Sequence, residues 1–151
     1  MLRARLADAL KLAMKDKNAK STATLRLILA ALKDRDIASR TKGKKETISE
    51  DEVLSLLQSM IKQRRESILL YEQGGRMELA QQEAEEIAVI EEFLPEQMNE
   101  SEMVKIIEAV ISEFGSTTLK DMGGVMAALK ENHSGNMDFS KASALVKERL
   151  S

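Results

Sequence analysis

Chemistry needs groups with assignable roles, and this chain offers few of them. Its one histidine, His133, lies in the polar stretch ENHSGNMD, and it has no cysteine. His133 has no HxxH or HExxH partner, so neither a metal pair nor a nucleophile–base pair can be read around it. The missing cysteine removes thiolate catalysis, disulfides, and Cys-based zinc or iron–sulfur sites. No GxSxG, Walker A or GxGxxG pattern occurs. Glu91 and Glu92, or Glu83, Glu85 and Glu86, could be imagined as acid–base or metal pairs. Sequence neighbours on a helix point about 100° apart, however, and although Glu83 and Glu86 share a face, no aspartate or histidine cluster stands beside them. They read as a solvated or salt-bridged face. The expectation is therefore no catalytic residue, no metal site and no cofactor.

Charge is more informative. The net charge of −2 hides a split: residues 1–45 hold 13 Lys/Arg against four Asp/Glu, whereas residues 78–102 hold no Lys or Arg. A basic end and an acidic middle can mean a polyanion-binding face, or two halves that attract each other within the fold. The best polyanion candidates are Arg26, Lys33, Arg40, Lys42, Lys44 and Lys45. Arg26 and Lys33 are seven apart and share a helix face, and the last residues add a cluster in a loop. Such a set gives affinity without sequence reading. No aromatics interleave it, so base stacking is not supported.

Arg64 is a different case. It falls near an apolar line between Met60/Ile61 and Ile68, where an unpaired charge would be expensive. Glu83 and Glu86 on the antiparallel neighbour are its expected partners, which makes the three residues structural. The functional alternative is a guanidinium aimed at a phosphate or at a partner's carboxylate.

The elements that must position these residues are helices. At 151 residues the chain can form one domain or two small ones, and a buried core is within reach. Aromatics are 3%, while Leu, Ile, Ala and Met are plentiful, a mix that favours packed helices over strands. Leu2, Leu6, Leu10 and Ala13 mark one face of a helix over 2–16, and Leu25, Ile28, Leu29 and Leu32 another over 20–38. Residues 38–49 are polar, basic and contain Gly43, so they read as a loop. Ser49-Glu50-Asp51-Glu52 is a capping box, with Ile48 and Val53 placed for a hydrophobic staple. The helix it starts carries Val53, Leu57, Met60, Ile61, Ile68 and Tyr71, and ends at Gly74-Gly75. A fourth helix, about 76–93, turns Met77, Ala80, Ala84, Ile87 and Ile90 inward and completes a long hairpin.

Pro95 is the only proline. It removes a backbone donor and clashes with the preceding turn, so a kink would require helical periodicity to resume at once. A fresh start follows instead: Asn99 can cap, Glu102 stands three later, and Met98 and Met103 form a second staple. Pro95 therefore marks a module boundary. Three short helices are expected after it. One, over 100–114, carries Met103, Ile106, Ile107, Val110, Ile111 and Phe114. A second, over 119–130 and capped by Thr118, carries Leu119, Met122, Val125, Met126 and Leu129. The last is capped by Asp138 and carries Phe139, Ala142, Leu145, Val146 and Leu150. Gly123-Gly124 sits inside a helical run, where it can allow close helix approach or admit a ligand backbone. The expected architecture is all-α: an N-terminal helical domain with a long hairpin over 1–94, and a small three-helix bundle over 95–151.

Three stretches, LRLILAALKDRDI at 25–37, IKQRRESILLYEQGGRMELAQQEAEEIAVIEEFLP at 61–95 and LKDMGGVMAALKE at 119–131, resemble the GatB/YqeY family in order and spacing. The resemblance covers nearly the whole chain and is nearest to the free-standing YqeY-like proteins. Their C-terminal module is similar to the tail of the B subunit of the glutamyl/aspartyl-tRNA amidotransferase, where the tail helps hold tRNA and the chemistry lies elsewhere. It implies a non-catalytic accessory role, binding tRNA or an amidotransferase-like complex, in the cytoplasm and without a membrane. Lys120, Lys130 and Lys141 are then the candidate nucleic-acid contacts of the tail. One departure is informative. The family's last loop usually reads close to lysine-glycine-arginine, a small residue, aspartate and glycine. Here Ser134-Gly135-Asn136-Met137-Asp138-Phe139 keeps Gly135 and the aspartate but loses the cations, and Gly124 stands where relatives often have lysine. The alternatives are a protein-interaction adaptor with no RNA involved, and a component of a carbon–nitrogen ligase that uses glutamine as amide donor.

Overall fold

In the computed structural model, residues 1–43 and 47–151 are described. Among them are seven α-helices: α1 (Leu2–Lys15), α2 (Ala19–Thr41), α3 (Glu50–Gln73), α4 (Met77–Glu91), α5 (Glu100–Phe114), α6 (Met122–Asn132) and α7 (Phe139–Leu150), with a 3-10 turn at Leu119–Asp121 before α6. No strand occurs among the described residues. The chain divides into two compact units, Met1–Leu94 and Pro95–Ser151. No helix among the described residues is long and apolar enough to cross a membrane.

The first unit closes around Leu6, Ile28, Leu57 and Ile90, all essentially without solvent contact. These residues come one each from α1 to α4, so every helix contributes its apolar stripe to one core. The start of α3 forms as its composition dictates. Ser49 Oγ accepts from Glu52 N–H at 3.2 Å, and the Glu52 carboxylate reaches the serine hydroxyl. Ile48 and Val53 are both buried beneath this cap. At the other end of the hairpin, Gly75 adopts φ +71°, a left-handed conformation that glycine enters without steric cost.

Two expectations fail in this unit. α2 continues to Thr41, so the loop after it is shorter than the polar composition of 38–49 suggested. Ala38 favours helix, residues 39–42 are polar without being helix breakers, no glycine precedes Gly43, and Thr41 Oγ1 donates to Ala38 O. In α4, Met77 is 58% exposed and Ala84 is exposed. The inward line runs Ala80, Glu83, Ile87 and Ile90 instead, with Glu83 rather than Ala84 on the half-buried side. Met77 lies at the outer end of the hairpin, where α3 has no buried residue after Ile61 and where Leu69 and Leu70 are exposed.

The second unit closes around Ile107, Val125, Leu129, Met137, Ala142 and Val146. Asn99 caps α5 through Glu102 N–H at 2.8 Å, and Met103 is buried behind it. Phe114 and Leu119, expected inside, are 54% and 47% exposed. Phe114 is the last residue of α5 and Leu119 the first of the 3-10 turn, so both lie past the end of the packed helices. Core volume comes instead from Met137, a residue of the polar loop before α7 that is fully buried. That loop is pinned: Gln97 Nε2 donates to Gly135 O at 2.6 Å, and Met98 N–H donates to Asn136 O at 2.8 Å. Gly123 and Gly124 correct the expectation of close helix approach. Both are exposed, and an added Cβ on either would meet nothing within 4 Å.

Candidate nucleic-acid interface

The outer face of α2 carries three of the candidate cations. Positions 26, 33 and 40 are seven apart, so Arg26, Lys33 and Arg40 follow one stripe, and all three are exposed. At 1.5 Å per residue the stripe is about 21 Å long, the axial length of roughly six phosphates on one strand of a duplex. Lys42 extends it just beyond the helix. Ala23 and Ala30 are exposed beside these cations, as are Leu27 and Ile37 at 48% and 46%. Asp34 is exposed on the flank. Lys44 and Lys45, the remaining members of the predicted cluster, lie outside the described residues.

The neighbouring ion pairs decide how much of this charge is available. Arg3 forms a two-point pair with Asp36 at 2.7 and 2.8 Å, and Lys20 pairs with Glu85 at 2.8 Å. Arg26, Lys33 and Lys42 have no carboxylate within 4 Å among the described residues, and Arg26 rests its guanidinium on Met14 Sδ at 4.0 Å. Arg40 sends its field toward Asp36. The acidic stretch of α4 is answered from α3 instead. Arg64 donates through Nε to Glu86 Oε2 at 2.9 Å and lies 4.0 Å from Glu83, with its side chain 13% exposed. Arg65 reaches Glu91 at 3.3 Å. Between the basic and acidic stretches, Lys20 pairs with Glu85 and Arg5 donates to Glu92 O.

Arg64 spends its guanidinium inside the hairpin, donating also to Met60 O, so it is not aimed at an external phosphate. Burial pushes the Glu83 carboxyl up from its ordinary range, the Glu86 charge pushes the same way, and Arg64 offsets part of the effect.

Lys120, Lys130 and Lys141 are exposed on the second unit, on three different elements: the 3-10 turn, the last turn of α6 and the first turn of α7. Lys130 shares a face with Gly123, seven residues before it. Six Lys/Arg stand against nine Asp/Glu in residues 95–151, so these lysines work in a net negative field. Gly135 is buried at φ +88° in the loop held by Gln97.

Sequence reasoning missed one cluster that organises the basic face. Asp36 is buried, accepts both Arg3 nitrogens, and also accepts from Ile48 N–H at 2.9 Å. Arg3 donates in turn to Ile48 O. One carboxylate therefore ties the start of α1, the last turns of α2 and the residue before the α3 cap. Hydrogen bonds from Arg3 hold the Asp36 carboxyl below its ordinary range, against the opposing effect of burial. A signal was present: Asp36 continues the core line Leu25, Ile28, Leu32 at helical spacing, as Arg64 does on α3. Two further contacts fix α1. Leu2 N–H donates to Glu50 Oε1 at 2.8 Å, and Arg5 lies 5.4 Å from the Phe93 ring centre while donating to Glu92 O.

Among the described residues no group of three or more His, Asp or Glu side chains is placed to hold a metal ion. The sequence matches the family model described as Yqey-like protein over residues 3–150. No curated protein matches the chain.

Proposed function

The chain belongs to the Yqey-like protein family, and from that premise we propose that it is an accessory protein that binds tRNA, without performing chemistry on it, through the outer face of α2. The observation that carries this reading is the stripe of exposed cations, of which Arg26, Lys33 and Lys42 have no carboxylate partner among the described residues. Exposed cations along about 21 Å of helix suit a phosphate backbone. They supply affinity and orientation rather than base reading. In this reading the role is linked to tRNA-dependent amide formation, and an amidotransferase-like complex supplies the catalytic groups.

Titration of the purified chain with bulk tRNA at several salt concentrations tests it. Phosphate-driven binding weakens as salt rises, with a log–log slope of about −0.7 to −0.9 per contact. A second reading, a protein-interaction adaptor, is favoured by Leu27 and Ile37, which leave apolar surface among the cations of α2. No tRNA binding even at low salt would put the adaptor ahead.

A further inference from the structure

We propose that the groove between the first turns of α2 and α4 docks a helix of a partner protein bearing lysine or arginine seven residues apart. The groove encloses about 440 Å³ and is open to solvent. On the α2 side it is lined by Ala19, Lys20, Ala23 and Thr24, of which Ala19 and Ala23, four apart and one carbon long, let a third helix approach the α2 backbone closely. On the α4 side Glu78, Gln82 and Glu85 share a face. Glu78 and Glu85 are seven residues apart, about 10.5 Å along the axis, the distance between cations seven apart on a parallel partner helix. The amide of Gln82 stands between them and can meet a polar group of either kind.

Charge selects the occupant. α4 contains no Lys or Arg, and among the described residues the one cation lining the groove is Lys20. Its side chain is 76% exposed and held by its pair with Glu85. An exposed pair of this kind is weak, so Lys20 can swing into solvent while a partner cation takes its place. Glu78 is likewise paired with the exposed Arg76 of its own turn. Glu86 also lines the groove but is held by Arg64, so Glu78 and Glu85 are the carboxylates left to face a partner, against the one ammonium of Lys20, and the lining disfavours phosphate. It therefore differs in ligand from the cationic stripe on the outer face of α2, and it does not rest on the nucleic-acid reading.

The test contains no RNA. A blocked, dye-labelled, alanine-based helical peptide of about 14 residues carries two lysines seven apart, and a twin peptide carries glutamates. Fluorescence anisotropy with the full chain is expected to show the lysine peptide binding at least roughly tenfold tighter than its twin. Ala23→Trp fills the groove without changing charge and is expected to weaken binding by roughly tenfold or more. Gln82→Trp does the same from the opposite wall, should the first variant fail to fold. Glu78→Gln with Glu85→Gln should abolish the preference for lysine. Unchanged binding in a folded tryptophan variant would reveal non-specific attraction to an acidic surface and overturn the proposal. So would absence of lysine-peptide binding, or equal competition by spermidine at matched charge, which would indicate a site for free amines.

Discussion

Residues 1–94 carry 17 Lys/Arg against 16 Asp/Glu, whereas residues 95–151 carry six against nine. In the first unit charged groups tie helix to helix: Arg3 to Asp36, Lys20 to Glu85, Arg64 to Glu86 and Arg65 to Glu91. In the second unit one ion pair, Arg149–Glu108, is found among the described residues, and closure rests on apolar side chains and on backbone contacts such as Met98 to Asn136. The first unit thus spends carboxylates on holding its own arginines in place and still leaves cations unspent on α2. The second has few cations and more than enough acid to screen them. A polyanion surface belongs where like charge is left over after the fold has taken its share.

The largest effect that could break this comparison is in the cores. Ile107→Ala and Leu57→Ala each empty a fully buried site and should cost about 3 kcal/mol. A core as small as that of the second unit has little reserve. Hydrogen exchange should therefore show amide protection lost in α5 to α7 for Ile107→Ala and in α1 to α4 for Leu57→Ala, with the other unit spared. Loss throughout the chain in both variants would mean that the two units do not behave as separate cooperative bodies.

Next is the clamp at Asp36. Asp36→Asn should cost about 2 kcal/mol, less than a fully buried pair would because Arg3 is partly exposed. The pH dependence has a definite sign. The folded carboxyl titrates below its ordinary value, so its contribution is fully present above about pH 4 and fades as pH falls through the lowered value. Chemical denaturation of wild type and variant across pH 2 to 7 should show their difference shrinking toward the acid end (about five pH units suffice to bracket the transition).

A sharper contrast lies within the hairpin. Glu86→Gln weakens a charge-assisted bond to a largely buried arginine and should cost about 1–2 kcal/mol. Glu83→Gln should be neutral or stabilising at neutral pH. The raised Glu83 carboxyl means that its ionisation opposes folding, a loss that begins as pH rises past the ordinary carboxyl value and is complete above the raised one. Equal destabilisation by the two variants in thermal melts would contradict this division of roles.

The smallest effects concern glycine. Gly123→Ala and Gly124→Ala place a methyl in open space on a helix and should each stabilise the second unit by about 1 kcal/mol. Gly135→Ala should do the opposite, since its φ of +88° strains any side chain. A loss of stability at Gly123 or Gly124 would show that these positions have a packing role.

Much of the fold could be read from the chain because caps and apolar periods are local. The Ser49 and Asn99 caps and the extent of α5 follow from such signals. The end of α2 could not, because polar residues without glycine or proline are as compatible with helix as with loop. Met77, Phe114 and Leu119 show a related limit. Periodicity says which side of a helix is apolar, but not whether another helix reaches that far. Met137 was hidden because a polar loop gives no periodic signal for the one side chain it sends inward. At the candidate interface, the seven-residue spacing of the cations is visible in the chain, but whether carboxylates consume them is a tertiary fact. Asp36, by contrast, carries the same signal as Arg64, a charge on a core line, and could have been found by the same argument.

The most direct measurement compares two triple variants in tRNA titrations at low and moderate salt. Arg26→Ala/Lys33→Ala/Lys42→Ala is predicted to weaken binding and to flatten the salt slope by about 2–3, while Lys120→Ala/Lys130→Ala/Lys141→Ala leaves both near wild type. The reverse pattern, with the second triple losing affinity and the first retaining it, would contradict the assignment of the polyanion surface to α2.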